Sequence, residues 1–355
     1  MLGDLCAAAQ SLCSLNHRCR SEPFHTAFVS SATEMPLLLR FLGTSASRPT
    51  VERGVSAIGL EREGETLLFD CGEGTQRQMM RYGVSFSLND IFFSHFHADH
   101  FLGLPGLLRT MALQGRTDPM HLWGPTGASR VLKQVASLGA ERPTFALEVH
   151  ELDPGASVKR GDYAIVATSA LHRGPTALTY AVVEEERRGR FNPERARELG
   201  IPEGPLWGRI HKGETITLDD GRSVPPSALV GPTRSGRRVV ITGDTRPCEA
   251  TVEISRNADL LVHEATFTEE EAARARETGH STAREAALVA QHAGVRRLIL
   301  TNLSARYTRD TTELEREARE VFPATVIARD GMEVDVPYAD DSAAIDQTAA
   351  EAGRA

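Results

Sequence analysis

The stretch SHFHADH, residues Ser94–His100, decides the fold, because it concentrates metal-binding side chains directly after a short apolar segment. His95 and His97 lie two positions apart, so in extended backbone both imidazoles point to the same side. Asp99 and His100 follow in the turn that leads to the next predicted helix. These four side chains can serve two adjacent metal ions, and imidazole with carboxylate favours zinc, with manganese as the alternative. A chance histidine cluster on a solvated loop is the weaker interpretation, since a buried strand ends here.

Outward from this motif, short apolar segments alternate with turns and with segments of helical periodicity. Strands are predicted at Leu37–Leu42, Ser56–Leu60, Thr66–Asp70, Ile91–Ser94, Ala164–Ala170, Leu178–Val183, Val239–Thr242, Leu260–His263 and Arg297–Thr301. Helices are predicted at Leu104–Gln114 and Thr282–His292. Strands followed by helices in two halves of the chain predict a layered α/β architecture.

The composition is that of an ordinary globular protein: 355 residues, 41% hydrophobic and 25% charged. No apolar run reaches the roughly 18 residues of a membrane helix, so we expect a soluble protein with no membrane contact. Three of the five cysteines crowd the N-terminus, and Cys71 and Cys248 lack a metal-type spacing. This usage predicts a reducing, cytoplasmic compartment. The net charge of −8 argues against indiscriminate nucleic-acid binding, but it allows a local basic patch.

The chain divides into a main domain and segments of different character. Residues 1–34 lack a sustained period and precede Met35; we interpret them as a disordered or mis-started extension, with a targeting peptide as the alternative. Residues 35–338 form the predicted domain, and residues 184–232 interrupt it with glycine, proline and charge. Residues 339–355, rich in aspartate and alanine, are predicted to be a disordered tail.

The His-x-His-x-Asp-His pattern is similar to the signature of the metallo-β-lactamase fold, and further stretches resemble ribonuclease Z, an endoribonuclease that processes the 3′ end of tRNA. The resemblance runs from Met35 to about Pro337 and includes FLGT (41–44), FDCGEGTQ (69–76), GRF (189–191), LGIPEGP (199–205), GDT (243–245), HEAT (263–266) and HST (280–282). It implies an αββα sandwich with a flexible exosite arm inserted at residues 184–232.

The resemblance also implies a binuclear site with two Zn²⁺ ions per subunit, or Mn²⁺ instead. The implied ligands are His95, His97, Asp99, His100, His172 and Asp244. His172 would share an ion with His95 and His97, and Asp244 would bridge both ions. Without the resemblance, His172 would be taken as a polar loop residue and Asp244 as an ordinary acid in a strand-end turn.

One position departs from the family pattern. Before Ser-x-Arg-Tyr the family places a histidine that completes the second metal site, and this chain has Asn302. Asparagine offers only a neutral carbonyl oxygen. We therefore expect weakened zinc occupancy of the second site, or a shift towards an oxygen-preferring metal such as manganese.

By the same resemblance, Asp99 is the general base, His280 is the acid that assists the leaving oxygen, and Glu264 orients His280. The expected products are a tRNA 3′-hydroxyl and a trailer 5′-phosphate. On the residues alone, we would favour Glu264 as a helix-start acid, and His280 as a residue that merely precedes a helix capped by Ser281 or Thr282.

The inserted segment carries local positive charge. Within residues 187–212, seven basic side chains face three acidic ones, a net charge of +4. This patch suits contacts with the phosphates of precursor tRNA that position the substrate without reading its bases. A solvated mixed-charge helix hairpin is the alternative. Because the family's arm often serves the partner subunit's site, the resemblance also implies a homodimer.

Two other functions remain open from the sequence. The first is a phosphodiesterase or sulfatase of the same fold acting on a small substrate, because one fold hosts many chemistries. The basic insertion argues against it, since a small substrate has no use for an arm. The second is an RNA-binding protein that has lost catalysis, which only Asn302 suggests.

Overall fold

The computed structural model describes residues 36–139, 142–174 and 176–339, and in them two seven-stranded sheets pack face to face. One apolar cluster lies between the two sheets. A second lies between the first sheet and its helices, and a third lies between the second sheet and its helices. This arrangement confirms the predicted αββα layers. Within these ranges no helix is both long and apolar enough to cross a bilayer. The predicted extension 1–34 and, apart from Ala339, the predicted tail lie outside the described residues.

The first sheet has the strand order β16-β1-β2-β3-β4-β5-β6, numbered along the chain. Its strands are β1 (Leu37–Gly43), β2 (Ala57–Arg62), β3 (Glu65–Phe69), β4 (Asp90–Phe92), β5 (Met120–Pro125), β6 (Leu147–Leu152) and β16 (Glu333–Asp335). The helices of this half are α1 (Thr75–Tyr82), α2 (Ala98–Phe101), α3 (Leu104–Leu113) and α4 (Ala128–Ala136). Strands β3 to β6 run parallel, so their carboxyl ends share one edge of the sheet.

The second sheet has the order β15-β14-β13-β12-β9-β8-β7. Its strands are β7 (Ser157–Arg160), β8 (Tyr163–Ala170), β9 (Ala177–Glu184), β12 (Arg238–Ile241), β13 (Leu260–Glu264), β14 (Leu298–Thr301) and β15 (Thr325–Ile327). The helices of this half are α7 (Glu249–Ile254), α8 (Ala272–Thr278), α9 (Ala283–Ala293) and α10 (Thr312–Val321). Strands β12 to β15 are parallel, which again brings their carboxyl ends together.

The nine predicted strands and both predicted helices are present, with ends that differ by one or two residues. Outside the inserted segment, the prediction missed β5, β6, β7, β15 and β16, which are short or carry polar residues on one face. Short length and polar side chains therefore hid the outermost strands of both sheets.

Aromatic side chains join the two sheets behind the metal-binding motif. The Phe92 ring stacks on Phe69 and meets the Tyr180 ring edge-on, with centroids 5.4 and 5.5 Å apart. The buried Tyr180 hydroxyl donates a 2.7 Å hydrogen bond to the carbonyl oxygen of Phe93. A buried tyrosine needs such a partner for its hydroxyl. The bond ties β9 of the second sheet to the chain that leads from β4 into the motif.

The segment between β9 and β12, residues 185–237 and here called the arm, has an apolar core of its own. It contains α5 (Pro193–Glu198), α6 (Pro205–His211), β10 (Ile216–Thr217) and β11 (Ser223–Val224). The buried side chains of this core are Ala196, Ile201, Ile210, Ile216, Val224 and Leu229. An antiparallel bridge between Arg187 and Arg234 closes its base. The arm is thus more than a solvated helix hairpin, because its helices and small sheet share a core.

A buried ion cluster anchors the end of β9. The Glu184 carboxylate accepts hydrogen bonds from Arg62 at 2.8 Å and from the Arg237 guanidinium at 2.7 and 2.9 Å. All three side chains are at most 5% exposed. Burial alone would raise the pKa of Glu184, but hydrogen bonds from Arg237 and Arg62 outweigh it and hold the pKa at about 2. The cluster joins the first sheet, the second sheet and the base of the arm.

We expect Glu184→Gln to lower the free energy of unfolding by about 3–5 kcal/mol at neutral pH, because two buried guanidinium groups lose the carboxylate that they share. The pKa of Glu184 falls from 4.5 to about 2 on folding. Its stabilising contribution is therefore fully present above the unfolded pKa and is lost as the pH falls towards the folded pKa. The difference in the free energy of unfolding between wild type and variant should therefore shrink as the pH is lowered from 4.5 to about 2. Urea unfolding at several pH values measures this difference.

Glu185→Gln is the matched control, since Glu185 is the exposed neighbour of Glu184. We expect it to change the free energy of unfolding by less than about 0.5 kcal/mol. Equal losses in the two variants, or a loss independent of pH, would contradict the role assigned to the buried cluster.

Candidate metal centre

The predicted site residues converge where the carboxyl ends of the inner strands of both sheets meet. His95 follows β4, His172 follows β8, and Asp244 follows β12. Glu264 ends β13, and Asn302 follows β14. Parallel strands of an α/β protein place such residues at one edge, where ligands commonly bind. The strand pattern therefore explains why residues more than two hundred positions apart share one site.

Three imidazoles and one carboxylate form the first group of donors. Nε2 of His95 and Nε2 of His172 each lie 3.0 Å from Nδ1 of His97. Oδ2 of Asp244 lies 3.6 Å from the His95 nitrogen and 3.9 Å from the His172 nitrogen. Zinc bonds of 2.0–2.1 Å in a tetrahedron place ligand atoms about 3.3 Å apart. The donor set therefore fits one zinc ion.

A second group of donors, His100 and Asp99, adjoins the first group at Asp244. Nε2 of His100 lies 3.4 Å from Oδ2 of Asp244 and 3.6 Å from Oδ2 of Asp99. This nitrogen is buried and has no hydrogen-bond partner within the described part of the chain. A buried polar atom without a partner is destabilising unless an ion or water satisfies it. The His100 nitrogen thus fits a role as a ligand of a second ion.

Asn302 occupies the position expected to complete this second group. It is buried, and its side-chain amide donates a 2.6 Å hydrogen bond to Oδ1 of Asp244. Because a carboxylate only accepts, the amide nitrogen must face Asp244. The side-chain oxygen Oδ1 of Asn302 then has no hydrogen-bond partner among the described residues. Its backbone φ of 54° is a left-handed conformation that asparagine tolerates. Asn302 therefore offers a neutral oxygen, as its chemistry predicted.

The electrostatics of the centre favour neutral imidazoles at His95 and His97 and a positive charge at His100. Burial and the neighbouring His100 hold the pKa of His95 well below its ordinary value, and burial lowers the pKa of His97. Burial also opposes a charge on His100, but Asp244 and Asp70 outweigh it and raise the pKa of His100 well above its ordinary value. Neutral imidazoles are the form that binds metal. The carboxylates that raise the pKa of His100 would equally stabilise a metal cation.

Asp70 contacts the candidate metal ligand His100, and the prediction did not assign it. It lies just after β3 with a φ of 57°, and its carboxylate accepts a 2.7 Å hydrogen bond from Nδ1 of His100. The same carboxylate accepts bonds from the backbone and hydroxyl of Ser94 at 2.8–3.0 Å. With its proton held on Nδ1, His100 presents a free lone pair on Nε2. The signal in the sequence was an acid directly after an apolar strand, within FDCGEGTQ.

Two glycines permit the close approach of the loops. A Cβ on Gly243, whose φ is 61°, would lie 2.5 Å from Cβ of Ser94. A Cβ on Gly72 would lie 2.3 Å from the carbonyl oxygen of Asp99. Only glycine fits both positions. The glycines of GDT and FDCGEGTQ therefore let the loops after β12 and β3 pack against the motif.

His280 and Glu264 form a pair beside the metal donors. Nδ1 of His280 lies 2.9 Å from Oε1 of Glu264 and 3.8 Å from Oδ2 of Asp244. The buried Glu264 also accepts bonds from the backbones of Thr245, Thr266 and Ser281, so it is firmly oriented. Burial lowers the pKa of His280, but Glu264 outweighs it and raises the pKa to about 9. Glu264 ends strand β13, so its interpretation as a helix-start acid is wrong.

Thr282 does cap helix α9, as the alternative interpretation of HST expected. Its side chain accepts a hydrogen bond from the backbone N–H of Glu285. In return, the Glu285 carboxylate accepts one from the backbone N–H of Thr282, which completes a capping box. The capping interaction does not exclude the His280 pair. It fixes the start of α9 and thereby the loop that carries His280 to Glu264.

A family model described as a β-lactamase superfamily domain matches residues 65–193 and 210–301. The structure also resembles a metallo-β-lactamase fold protein from Bacillus subtilis, with a TM-score of 0.62 and 19% identity over 85% of this chain and all of that one. Fold and donor geometry together define a metallo-β-lactamase-fold hydrolase. The gap between the two matched ranges, residues 194–209, falls inside the arm.

More specific relatives narrow this class. A ribonuclease Z from Gemmatimonas aurantiaca is 67% identical over 87% of this chain and 99% of that protein. One from Myxococcus xanthus is 52% identical over 86% and 99%. The crystal structure of the short form of human tRNase Z matches with a TM-score of 0.61 and 29% identity, over 84% of this chain and 99% of that one. The chain belongs to the ribonuclease Z family of endoribonucleases.

Asp70→Asn should weaken metal binding at the second position by about 10–100-fold. Asparagine accepts the left-handed backbone of Asp70, so the loop persists. Its amide nitrogen, placed where Oδ2 faces His100, would donate to Nδ1 of that ring. The ring proton then moves to Nε2, which leaves no lone pair for a metal ion. Competition titrations of zinc against a chromophoric chelator measure the affinity.

Asp118→Asn, an exposed aspartate-to-asparagine change, is the control and should leave both zinc affinities unchanged. If Asp70→Asn binds two zinc ions as tightly as the wild type does, then Asp70 does not set the tautomer of His100.

Proposed function

We propose that the protein is a zinc-dependent endoribonuclease that removes the 3′ trailer from precursor tRNA. The products would be a tRNA 3′-hydroxyl and a trailer 5′-phosphate. The observation that carries the proposal is the pair of adjacent donor groups around Asp244, with His280 held by Glu264 only 3.8 Å from the same carboxylate. Membership of the ribonuclease Z family supports the choice of substrate.

The donors divide between two zinc ions. His95, His97 and His172 would hold the first, Asp99 and His100 would hold the second, and Oδ2 of Asp244 faces both groups of donors. Zinc bound there would supply Lewis acidity and lower the pKa of a water molecule at the scissile phosphate. Because Asn302 contributes only a neutral oxygen, we propose that the second position binds zinc more weakly than the first and also accepts manganese.

We propose Asp99 as the general base. Its Oδ2 accepts a 2.7 Å hydrogen bond from the backbone of Ser47 and lies 3.6 Å from Nε2 of His100. The bond from Ser47 fixes the carboxylate orientation. Asp99 can therefore orient an attacking water molecule and accept its proton, which requires a base within hydrogen-bond reach of that proton.

We propose that His280 assists departure of the leaving group. Its Nδ1 faces Glu264, so its Nε2 is the atom left to donate a proton to the 3′ oxygen of the tRNA. Glu264 contacts three backbone amides and does not itself reach solvent. We therefore assign the proton transfer to His280 and the orientation of its ring to Glu264.

The arm is the proposed contact with the body of the tRNA. Several of its arginines are exposed and paired with glutamates, as in Arg195–Glu198, Arg197–Glu203 and Arg209–Glu214. Exposed pairs of this kind contribute only about 0–1 kcal/mol each. A phosphate group can therefore replace the glutamate at little expense in free energy, so the local pairing does not prevent phosphate binding.

We also propose that the enzyme is a homodimer in which each arm serves the site of the partner subunit. The proposal rests on family membership and on the arm's separate core, which lets it extend from the sandwich as a unit. Light scattering after size-exclusion chromatography measures the mass, and a monomer at working concentration would contradict it.

The main test is cleavage of a 5′-labelled precursor tRNA with a short trailer, with zinc or manganese supplied. We expect one cut next to the discriminator base, and we expect Asp99→Asn to reduce the rate by at least about 100-fold, because the base and a metal ligand are lost together. Asp118→Asn is the exposed control and should cleave as the wild type does. Binding of the tRNA without cleavage by the wild-type protein would refute the proposed activity.

Replacing the arm separates tRNA recognition from catalysis. The backbones of Arg187 and Arg234 exchange hydrogen bonds of 2.7 and 2.8 Å, so an Asn-Gly turn can join them in place of residues 188–233. We expect this variant to raise the KM for precursor tRNA by more than about tenfold, because phosphate contacts are lost. Hydrolysis of bis-(p-nitrophenyl) phosphate should be unchanged. Equal KM values for the tRNA would show that the arm does not contact the substrate.

A further inference from the structure

A second cluster of metal-type donors lies on the last two strands of the first sheet, outside the centre described above. His121 belongs to β5, and Glu148 and His150 belong to β6. In the parallel register His121 pairs with Glu148, and Trp123 pairs with His150. Alternation along each strand puts all four side chains on one face of the sheet. The opposite face, with Leu122 and its neighbours, packs against the helices.

The three donor atoms converge with the spacing of metal ligands. Nδ1 of His121 lies 3.2 Å from Nε2 of His150 and 3.4 Å from Oε2 of Glu148, and the third edge measures 3.9 Å. A tetrahedral zinc site with bonds of 2.0–2.2 Å requires edges of about 3.3–3.6 Å. Three protein atoms thus outline one face of such a site, and a fourth position is left for water.

Hydrogen bonding within the cluster does not explain this convergence. One proton between the two imidazoles satisfies the 3.2 Å contact of His121 with His150. The Glu148 oxygen approaches the same two nitrogens at 3.4 and 3.9 Å, which is too long for a charge-assisted hydrogen bond. A carboxylate that faces two imidazole nitrogens without a proton between them has the arrangement of a ligand set.

Neighbouring side chains hold the donors in place. The Trp123 ring stacks on the His150 ring with centroids 4.0 Å apart, and its indole nitrogen donates a 2.7 Å hydrogen bond to Asp90. Arg160 of β7 forms an ion pair with the same aspartate. The donor side chains are 30–50% exposed, so an ion can enter from solvent. The His150 ring is therefore oriented before a ligand arrives, which favours binding.

We propose that the edge cluster, defined as His121, Glu148 and His150, binds one divalent transition-metal ion, with zinc as the ion whose geometry fits best. This site is separate from the proposed catalytic centre and does not depend on the proposed function. A bound ion would link β6, the last strand of the first sheet, to β5 through side chains as well as backbone hydrogen bonds.

Tryptophan fluorescence provides a direct readout, because the chain has only two tryptophans, Trp123 and Trp207. In a Trp207→Phe background, Co²⁺ bound at the edge cluster lies next to Trp123 and quenches its emission. We expect saturable quenching that zinc reverses. His121→Gln and Glu148→Gln should each weaken the quenching affinity by about tenfold or more, since one of three ligands is lost. His150 is left unchanged because it touches the fluorophore.

His292→Gln is the matched control, since His292 is an exposed histidine on α9. It should leave the quenching curve unchanged, and ions at the catalytic centre contribute equally to all these variants. The rate of tRNA cleavage by His121→Gln should equal that of its background, because the edge cluster takes no part in the reaction. Identical quenching curves for His121→Gln, Glu148→Gln and their background, or an equal loss in His292→Gln, would overturn the proposal.

Discussion

One buried carboxylate oxygen organises the centre. Oδ2 of Asp244 lies within 4 Å of His95, His100, His172 and His280, which come from three separate segments of the chain. Burial would raise the pKa of Asp244, but His100 and the other imidazoles outweigh it and hold the pKa well below its ordinary value. A negative charge in such a place persists only because positive or polar groups surround it. The packing of the two sheets against each other therefore brings these four imidazoles to Oδ2 of Asp244.

The sequence was sufficient to predict the layers, most inner strands and the side chains that meet at Asp244. Apolar strands and a dense histidine motif are local signals, and the family resemblance supplied the distant His172, Glu264 and His280. Asp70 was not assigned, because its role depends on the approach of β3 to β4, which places its carboxylate beside Nδ1 of His100. The backbone contact from Ser47 to Asp99 leaves no trace in side-chain patterns at all.

The edge strands show the opposite limit of sequence reasoning. β6 carries Glu148 and His150 on the face where an inner strand would carry apolar residues, so periodicity did not mark it as a strand. Its two exposed donors become meaningful only once β5 brings His121 opposite them. The same tertiary pairing that defeats prediction of the strand creates the cluster, because donors from separate strands have no fixed spacing in the sequence.

The arm also affects how the sandwich assembles. β9 and β12 are neighbours in the second sheet, yet Glu184 and Arg237, which close their ends, are 53 positions apart. If the arm's apolar core forms first, the open loop between the strands shrinks from about 50 residues to about 5, which lowers the entropic barrier to closing it by about 2 kcal/mol. Early formation of the arm would therefore speed the pairing of β9 with β12. The segment proposed to bind the tRNA would then also raise the folding rate of the sandwich.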